Sequence, residues 1–418
     1  MKPDMAGTVV AIFCMPEHGH FMLLRALISG FVQAGCNVHV FTHRRYGPDV
    51  ERMGARLVDL FTEHPIEHAD SESVPVPCRY VSFAAYYAEE VLEKLRSIRP
   101  ALVVCETFAV IGRLAAQRLG VPFINVLPGH NIHPQRFLPA LHVDPRVAIS
   151  QRCHRAVAIL RERYGMHDAS PFSYIAGHSP HLNVCCQPPE FLTEEERNSF
   201  EPVAFYGCIP SPDQSERPND AAHTYFAGGP DRFRIYACFG TVALRYYADV
   251  ATRVFEMLSN CLADMPKASA LISLGGAAVE DGLIRRLRRP NVEVVEYTDQ
   301  RAVLGEADVF LTHHGLNSTH EAIFQRVPML SYPIFTDQPA LAERCRQFGI
   351  AVPLASSVRG PVVADDVRAG LETLAKERES IMARLEQTRS WELDVMAQRP
   401  AVLTRMLELA RANSADTR

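Results

Sequence analysis

Short apolar runs alternate with stretches of helical periodicity along most of this chain. Residues 9–15, 37–42, 102–105, 122–126, 182–186 and 203–206 are apolar and rich in β-branched residues, the pattern of strands buried on both faces. Between them, residues 21–34 place Leu24, Leu27, Ile28 and Phe31 on one helical face and stop at Gly35. Residues 82–97 and 108–119 repeat the helical spacing. This alternation predicts a doubly wound parallel sheet. At 210–220 the pattern breaks into a polar, proline-rich stretch that reads as a linker. It then restarts, with strands predicted at 234–238, 268–273, 291–295, 309–312 and 329–332 and helices at 246–263, 340–348 and 364–377. Residues 391–412 form a separate helical pattern carrying Val402, Met406, Leu407 and Leu409, followed by a polar tail.

Composition sharpens this picture. A chain of 418 residues favours two domains or more, and 47% apolar residues suffice for two cores. The formal charge of −5 excludes a general attraction to nucleic acid or anionic membranes. The 11 cysteines lie in apolar runs, form no C-x-x-C pair, and read as reduced core thiols of a cytosolic protein. The apolar run at 8–15 is too short for a signal segment, and no run approaches the roughly 18 apolar residues of a membrane helix. A soluble, cytoplasmic protein is expected.

The segment Leu311-Thr312-His313-His314-Gly315-Leu316-Asn317-Ser318-Thr319-His320-Glu321-Ala322 carries the most chemistry. It reads as a buried strand, a glycine turn and the start of a helix. Helix N-termini bind anions through unpaired N–H groups and the helix dipole. An imidazole, an amide, hydroxyls and a carboxylate here suit a diphosphate beside a ribose diol. The same Ser318-x-x-Glu321 is also a plain capping box, and Asn317 an ordinary N-cap. Tyr332-Pro333-Ile334-Phe335-Thr336-Asp337-Gln338 reads as a second strand ending in a polar pair.

These motifs resemble the nucleotide-sugar signature of family 1 glycosyltransferases, the UDP-glycosyltransferase superfamily. The matching residues are Tyr297, Gln300, Thr312-His313, Gly315, Asn317-Ser318, Glu321, Val327-Pro328 and Asp337-Gln338; Arg326 replaces a glycine of the pattern. The resemblance implies the α/β GT-B fold, two Rossmann-like parallel-sheet domains facing a cleft. Residues 1–209 would bind the acceptor, 210–230 would link, and 231–390 would bind the nucleotide sugar. Residues 391–418 would form a helix packing back on the first domain. It further implies that Tyr297 stacks on the base, Glu321 accepts from ribose hydroxyls, and Asp337 and Gln338 hold the sugar. Gln300, His313, Gly315, Asn317 and Ser318 complete the donor set. Gly240-Thr241, after a predicted strand, adds a turn where the backbone approaches closely and a hydroxyl donates to phosphate. Tyrosine at 297 leaves UDP and dTDP both open.

In the first half, His18-Gly19-His20 follows the first strand, where open α/β sheets bind ligands. The resemblance assigns His20 as general base and places Glu106 where an orienting Asp is usual; Leu23 stands where a proline is usual. His18-x-His20 also admits a metal pair or a non-catalytic loop, and Glu106 a solvent-facing strand end. No His/Cys cluster completes a zinc site and no Asp-x-Asp motif occurs, so no metal or other cofactor is expected. Phe83, Phe108, His130 and Asn131 are acceptor-site candidates. The resulting expectation is an inverting glycosyltransferase of the bacterial natural-product, macrolide-like branch, acting in antibiotic biosynthesis as a monomer or homodimer. It would take a UDP- or dTDP-sugar and a small hydrophobic acceptor. A sugar-nucleotide 2-epimerase of the same fold and a catalytically silent binding homologue are the alternatives.

Overall fold

The computed structural model describes residues 5, 7–130, 134–175, 177–209, 225–226, 232–277 and 279–416. The first sheet contains β1 (Val9–Phe13), β2 (Asn37–Thr42), β3 (Arg56–Asp59), β4 (Leu102–Glu106), β5 (Phe123–Leu127), β6 (Leu182–Cys185) and β7 (Val203–Phe205). All are parallel, in the order β3-β2-β1-β4-β5-β6-β7. The second contains β8 (Phe233–Cys238), β9 (Ala268–Ser273), β10 (Val292–Val295), β11 (Val309–Thr312), β12 (Met329–Ser331) and β13 (Ala351–Pro353). These are also parallel, in the order β10-β9-β8-β11-β12-β13. Both are doubly wound sheets, as the alternation predicts. In each, the strand order reverses between the first and fourth strands, and ligands of such sheets bind beyond the strand C-termini at that point.

The chain divides into two compact units, Met1–Pro210 with Val395–Arg418, and Ser211–Asp394. The predicted linker residues 210–220 lie outside the described residues. In the first sheet β4 and β5 are buried at every position, which is why they read as continuous apolar runs. In the first unit, Phe13, Phe41 and Phe83 belong to one core with helix Pro77–Ile98. In the second, stacked Phe239–Phe255 and Tyr236–Phe310 rings do the same work. All eleven cysteines are buried and free of disulfides. Among the described residues, no helix is long and apolar enough to cross a membrane.

Several element boundaries differ from expectation, for physical reasons. The first helix is His18–Gln33, so His18 and His20 lie in its first turn, not before it; Gly35, at φ +89°, ends it as expected. The second begins at Pro77, with proline in its first turn, and ends at Arg99 in the left-handed region. The expected 391–412 helix is part of one helix, Arg378–Asp416. Its early apolar residues Ile381 and Leu385 are buried in the second unit, and Met406, Leu407 and Ala410 in the first. A helix serving two cores has no single apolar stripe, and only its last part shows one. In the first unit, the buried Arg399 of this helix donates to the carbonyls of Tyr206 (2.7 Å) and Ile209 (2.6 Å).

Candidate active site

In the first unit, β1 and β4 are neighbours at the strand-order reversal, and their ends bring two predicted residues together. His20 Nδ1 lies 3.0 Å from Glu106 Oε2. Glu106 is 1% exposed, which removes the solvent-facing alternative. Its Oε1 accepts the N–H of Met15 (3.2 Å) and its Oε2 that of Phe108 (2.9 Å). These bonds offset the cost of a buried carboxylate. An ionised carboxylate only accepts, so the hydrogen bond assigns the proton to Nδ1 and leaves Nε2 a lone pair. The His20 ring packs against Phe108, centroids 4.5 Å apart.

Two neighbours were not singled out from sequence. Glu17 precedes the helix of His20 and accepts from the Tyr80 hydroxyl at 2.8 Å. Tyr80 lies 6.2 Å from the Phe108 ring. Tyrosine 80 sits on a helix distant in sequence, and no local spacing announces the pairing.

The acceptor candidates separate. Phe108 is half-buried beside His20. Phe83 is corrected to a core residue: it is 1% exposed and packs on Phe61 (4.9 Å) and Tyr87 (4.8 Å), because its helix face turns inward. His130 is likewise interior, fully buried, with Nδ1 2.9 Å from Gln187 Oε1. Asn131 lies outside the described residues.

In the second unit, the turns after β8 and β11 adjoin at the corresponding reversal. His313 is 7% exposed, and its ring lies across Gly240 and Gly315. A Cβ added at Gly240 would stand 2.8 Å from His313 Nε2, and one at Gly315 2.6 Å from it. A side chain at either position would displace the His313 ring, and Gly240 also has a φ of +71°, which favours glycine. A Cβ at Gly275 would collide with the Gly240 carbonyl, so the β8 and β9 turns are in direct contact. Thr241 is half-buried at the same turn. Burial pushes the His313 imidazole down to about 3, so it is neutral at physiological pH. Nδ1 is buried without a partner. A proton on Nε2 leaves only a lone pair there and makes Nε2 the donor.

Helix Leu316–Gln325 starts at N-cap Gly315, with no side-chain cap. Asn317 and Ser318 therefore lie inside its first turn, and the capping-box reading of Ser318-x-x-Glu321 does not hold. Instead Gln300 Nε2 donates to Glu321 Oε2 (2.6 Å) and Ser318 Oγ (3.1 Å). Tyr297 is 58% exposed, with its ring edge beside Gly276. The expected strand at 332–338 is corrected as well: β12 ends at Ser331, and Gln338 opens helix Gln338–Gln347. Thr336, at φ +52°, bends the loop between, and its hydroxyl donates to Asp337 Oδ1 (2.9 Å). Gln338 is 3% exposed, and its Oε1 accepts from the N–H groups of Ile334 (2.9 Å) and Phe335 (3.1 Å). It shapes the loop that presents Asp337. Among the described residues, one group has metal-ligand proximity, Glu63, His64 and Glu90 in the first unit; Lys94 already bonds Glu90 at 2.7 Å.

Burial is the main cause that pushes the Glu321 carboxyl up to about 7; Gln300 and Arg301 oppose it and Asp299 adds to it. Its folded pKa is above the unfolded one, so the stability it contributes is full below about 4.5 and is lost as pH rises through about 7. If the ionised carboxylate grips a ribose diol, affinity should move oppositely. A free nucleoside, which lacks titrating phosphates, should bind about tenfold tighter at pH 8 than at pH 6, from the ionised fraction alone. Titration calorimetry at both pH values checks this, and Glu321→Gln should abolish the difference. An equal pH dependence in that variant would remove Glu321 from ribose recognition.

Comparison with known proteins agrees with the two doubly wound parallel sheets. The family described as UDP-glucoronosyl and UDP-glucosyl transferase matches residues 253–387. A zeaxanthin glucosyltransferase of Pseudescherichia vulneris is 23% identical over 407 residues, 87% of this chain and 91% of that protein. The crystal structure of the glycotransferase of kitacinnamycin superposes with TM-score 0.76 at 21% identity, covering 96% of this chain and 99% of that one. The glycosyltransferase VinC, solved in complex with dTDP, superposes with TM-score 0.66 at 18% identity, covering 97% of this chain and 100% of that one.

Proposed function

We propose that this chain, a glycosyltransferase of the UDP-glucoronosyl and UDP-glucosyl transferase family, moves a sugar from a UDP- or dTDP-sugar to a hydroxyl of a small hydrophobic natural product, with inversion. The observation that carries the reading is the His20–Glu106 pair: a base whose tautomer is set by a buried carboxylate with both oxygens engaged. His20 Nε2 takes the acceptor proton as the acceptor oxygen forms a bond to sugar C1. The bond from C1 to the diphosphate oxygen breaks, and its electron pair leaves with the diphosphate. Attack opposite the leaving group inverts C1. Phe108 beside His20 supports an apolar acceptor.

The donor reading rests on the second unit. A neutral His313 N–H, the N–H groups opening helix Leu316–Gln325, and Thr241 are suited to a leaving diphosphate without a metal. The exposed face of Tyr297 suits a pyrimidine, and either UDP or dTDP fits that chemistry.

One experiment tests both halves. UDP- and dTDP-sugars are incubated with a panel of phenolic and polyketide alcohols, with and without EDTA, and products are read by NMR. A glycoside with inverted anomeric configuration, formed equally in EDTA, is expected. Epimerised sugar nucleotide without acceptor would favour the epimerase, and binding without any product the silent homologue. Activity lost in EDTA and restored by Mg²⁺ or Mn²⁺ would end the metal-independent reading.

A further inference from the structure

The residue after His313 is not accounted for by donor contact, yet it is among the most constrained in the second unit. His314 is fully buried and has φ +61°, a left-handed conformation that only a few per cent of non-glycine residues adopt. Both ring nitrogens are engaged. Nδ1 lies 3.2 Å from Thr319 Oγ1, in the helix Leu316–Gln325. Nε2 lies 2.7 Å from Ser331 Oγ, at the end of β12. Its own N–H donates to Thr312 Oγ1 at 3.3 Å. Burial pushes the imidazole down to about 3, so the ring joins these hydroxyls as a neutral donor–acceptor.

Glycine would meet the backbone requirement here with less strain. The side chain is therefore held in a costly conformation by what it bonds. It ties three things: the corner leaving β11, the second turn of the helix, and the adjacent strand. The corner also sets where His313 goes, because its ring must fit between Gly240 and Gly315 with no room to spare.

We infer that His314 is a positioning residue for diphosphate recognition: its bonds to Thr319 and Ser331 hold the His313 ring and the helix N-terminus in the geometry that grips a diphosphate. The inference rests on the donor reading above. It goes beyond that reading by assigning the work to a buried residue that touches no ligand.

The test compares ligands as well as variants. Binding of UDP and dTDP, and of uridine and thymidine, is measured by titration calorimetry for the native protein, His314→Gly, His314→Asn and His313→Ala, with thermal unfolding of each. His314→Gly suits the local φ and should fold. It should bind the nucleoside diphosphate at least tenfold more weakly and the nucleoside within twofold of the native protein. His314→Asn, which tolerates the same conformation and keeps one bond, should recover part of the loss. Diphosphate affinity within twofold of native in His314→Gly, alongside a clear loss in His313→Ala, would overturn this inference and leave the donor reading standing. No loss in His313→Ala would end the donor reading and this inference with it. Equal weakening of nucleoside and diphosphate in His314→Gly, with a lowered melting temperature, would show a purely structural role and overturn the inference.

Discussion

Replacing His20 by alanine should lower kcat by about 10²–10⁴-fold, the usual range for loss of a general base. The affinity for the nucleoside diphosphate should stay within twofold, because the proposed donor groups belong to the second unit. The acid limb of the kcat/KM profile should disappear with the residue, since the base must be unprotonated to act. Stopped-time assays across pH, with calorimetry for the donor, check both statements. A variant that keeps most of its turnover would take His20 out of the reaction. Glu106→Gln is a different perturbation from a simple loss of charge. Both carboxylate oxygens already accept backbone N–H groups, from Met15 and Phe108, while one also meets His20. An amide has one oxygen, so its NH₂ would face a backbone donor. The variant should be less stable by about 1–3 kcal/mol, the cost of a buried unsatisfied group. It should lose less turnover than His20→Ala.

Much of the fold is legible in the chain because parallel strands buried on both faces are continuous apolar runs. β4 and β5 are the clearest. The start of the first helix is not legible: N-cap Glu17 makes no side-chain cap bond, so no capping signal marks His18 as helical. Ser318-x-x-Glu321 misleads in the opposite way, since both side chains turn to Gln300, a partner 18 and 21 residues away. The candidate site shows the same division. The sequence locates His20, Glu106 and His313 near strand ends, but that His20 and Glu106 meet is visible only in the fold. The burial of Phe83 and His130 is not legible either, because whether an aromatic ring faces solvent or the core depends on how its element is rotated. His314 escapes notice altogether: its meaning lies in Ser331, on another strand.

The sharpest test of the second unit uses a residue with no side chain. Gly315 has φ −62° and ψ 145°, an extended conformation open to any residue. What a Cβ here would meet first is the His313 ring, 2.6 Å away. Gly315→Ala should therefore displace that ring. The ring end swings more easily than backbone shifts, so most of the cost should appear in ligand affinity, with stability falling by no more than the about 1–3 kcal/mol of ordinary overpacking. Nucleoside diphosphate affinity in Gly315→Ala should drop to that of His313→Ala, about 10–100-fold, the loss of one or two kcal/mol-scale hydrogen bonds to a charged group. The double variant carries the argument. Once the ring is gone, the three atoms nearest a Cβ at 315 go with it, so His313→Ala/Gly315→Ala should bind no worse than His313→Ala and be no less stable. Calorimetry and thermal unfolding of the four proteins close this cycle. Additive losses would mean that Gly315 serves the backbone N–H groups of the helix directly, with the ligand approaching closer than a methyl group allows, and that His313 is not what the glycine protects.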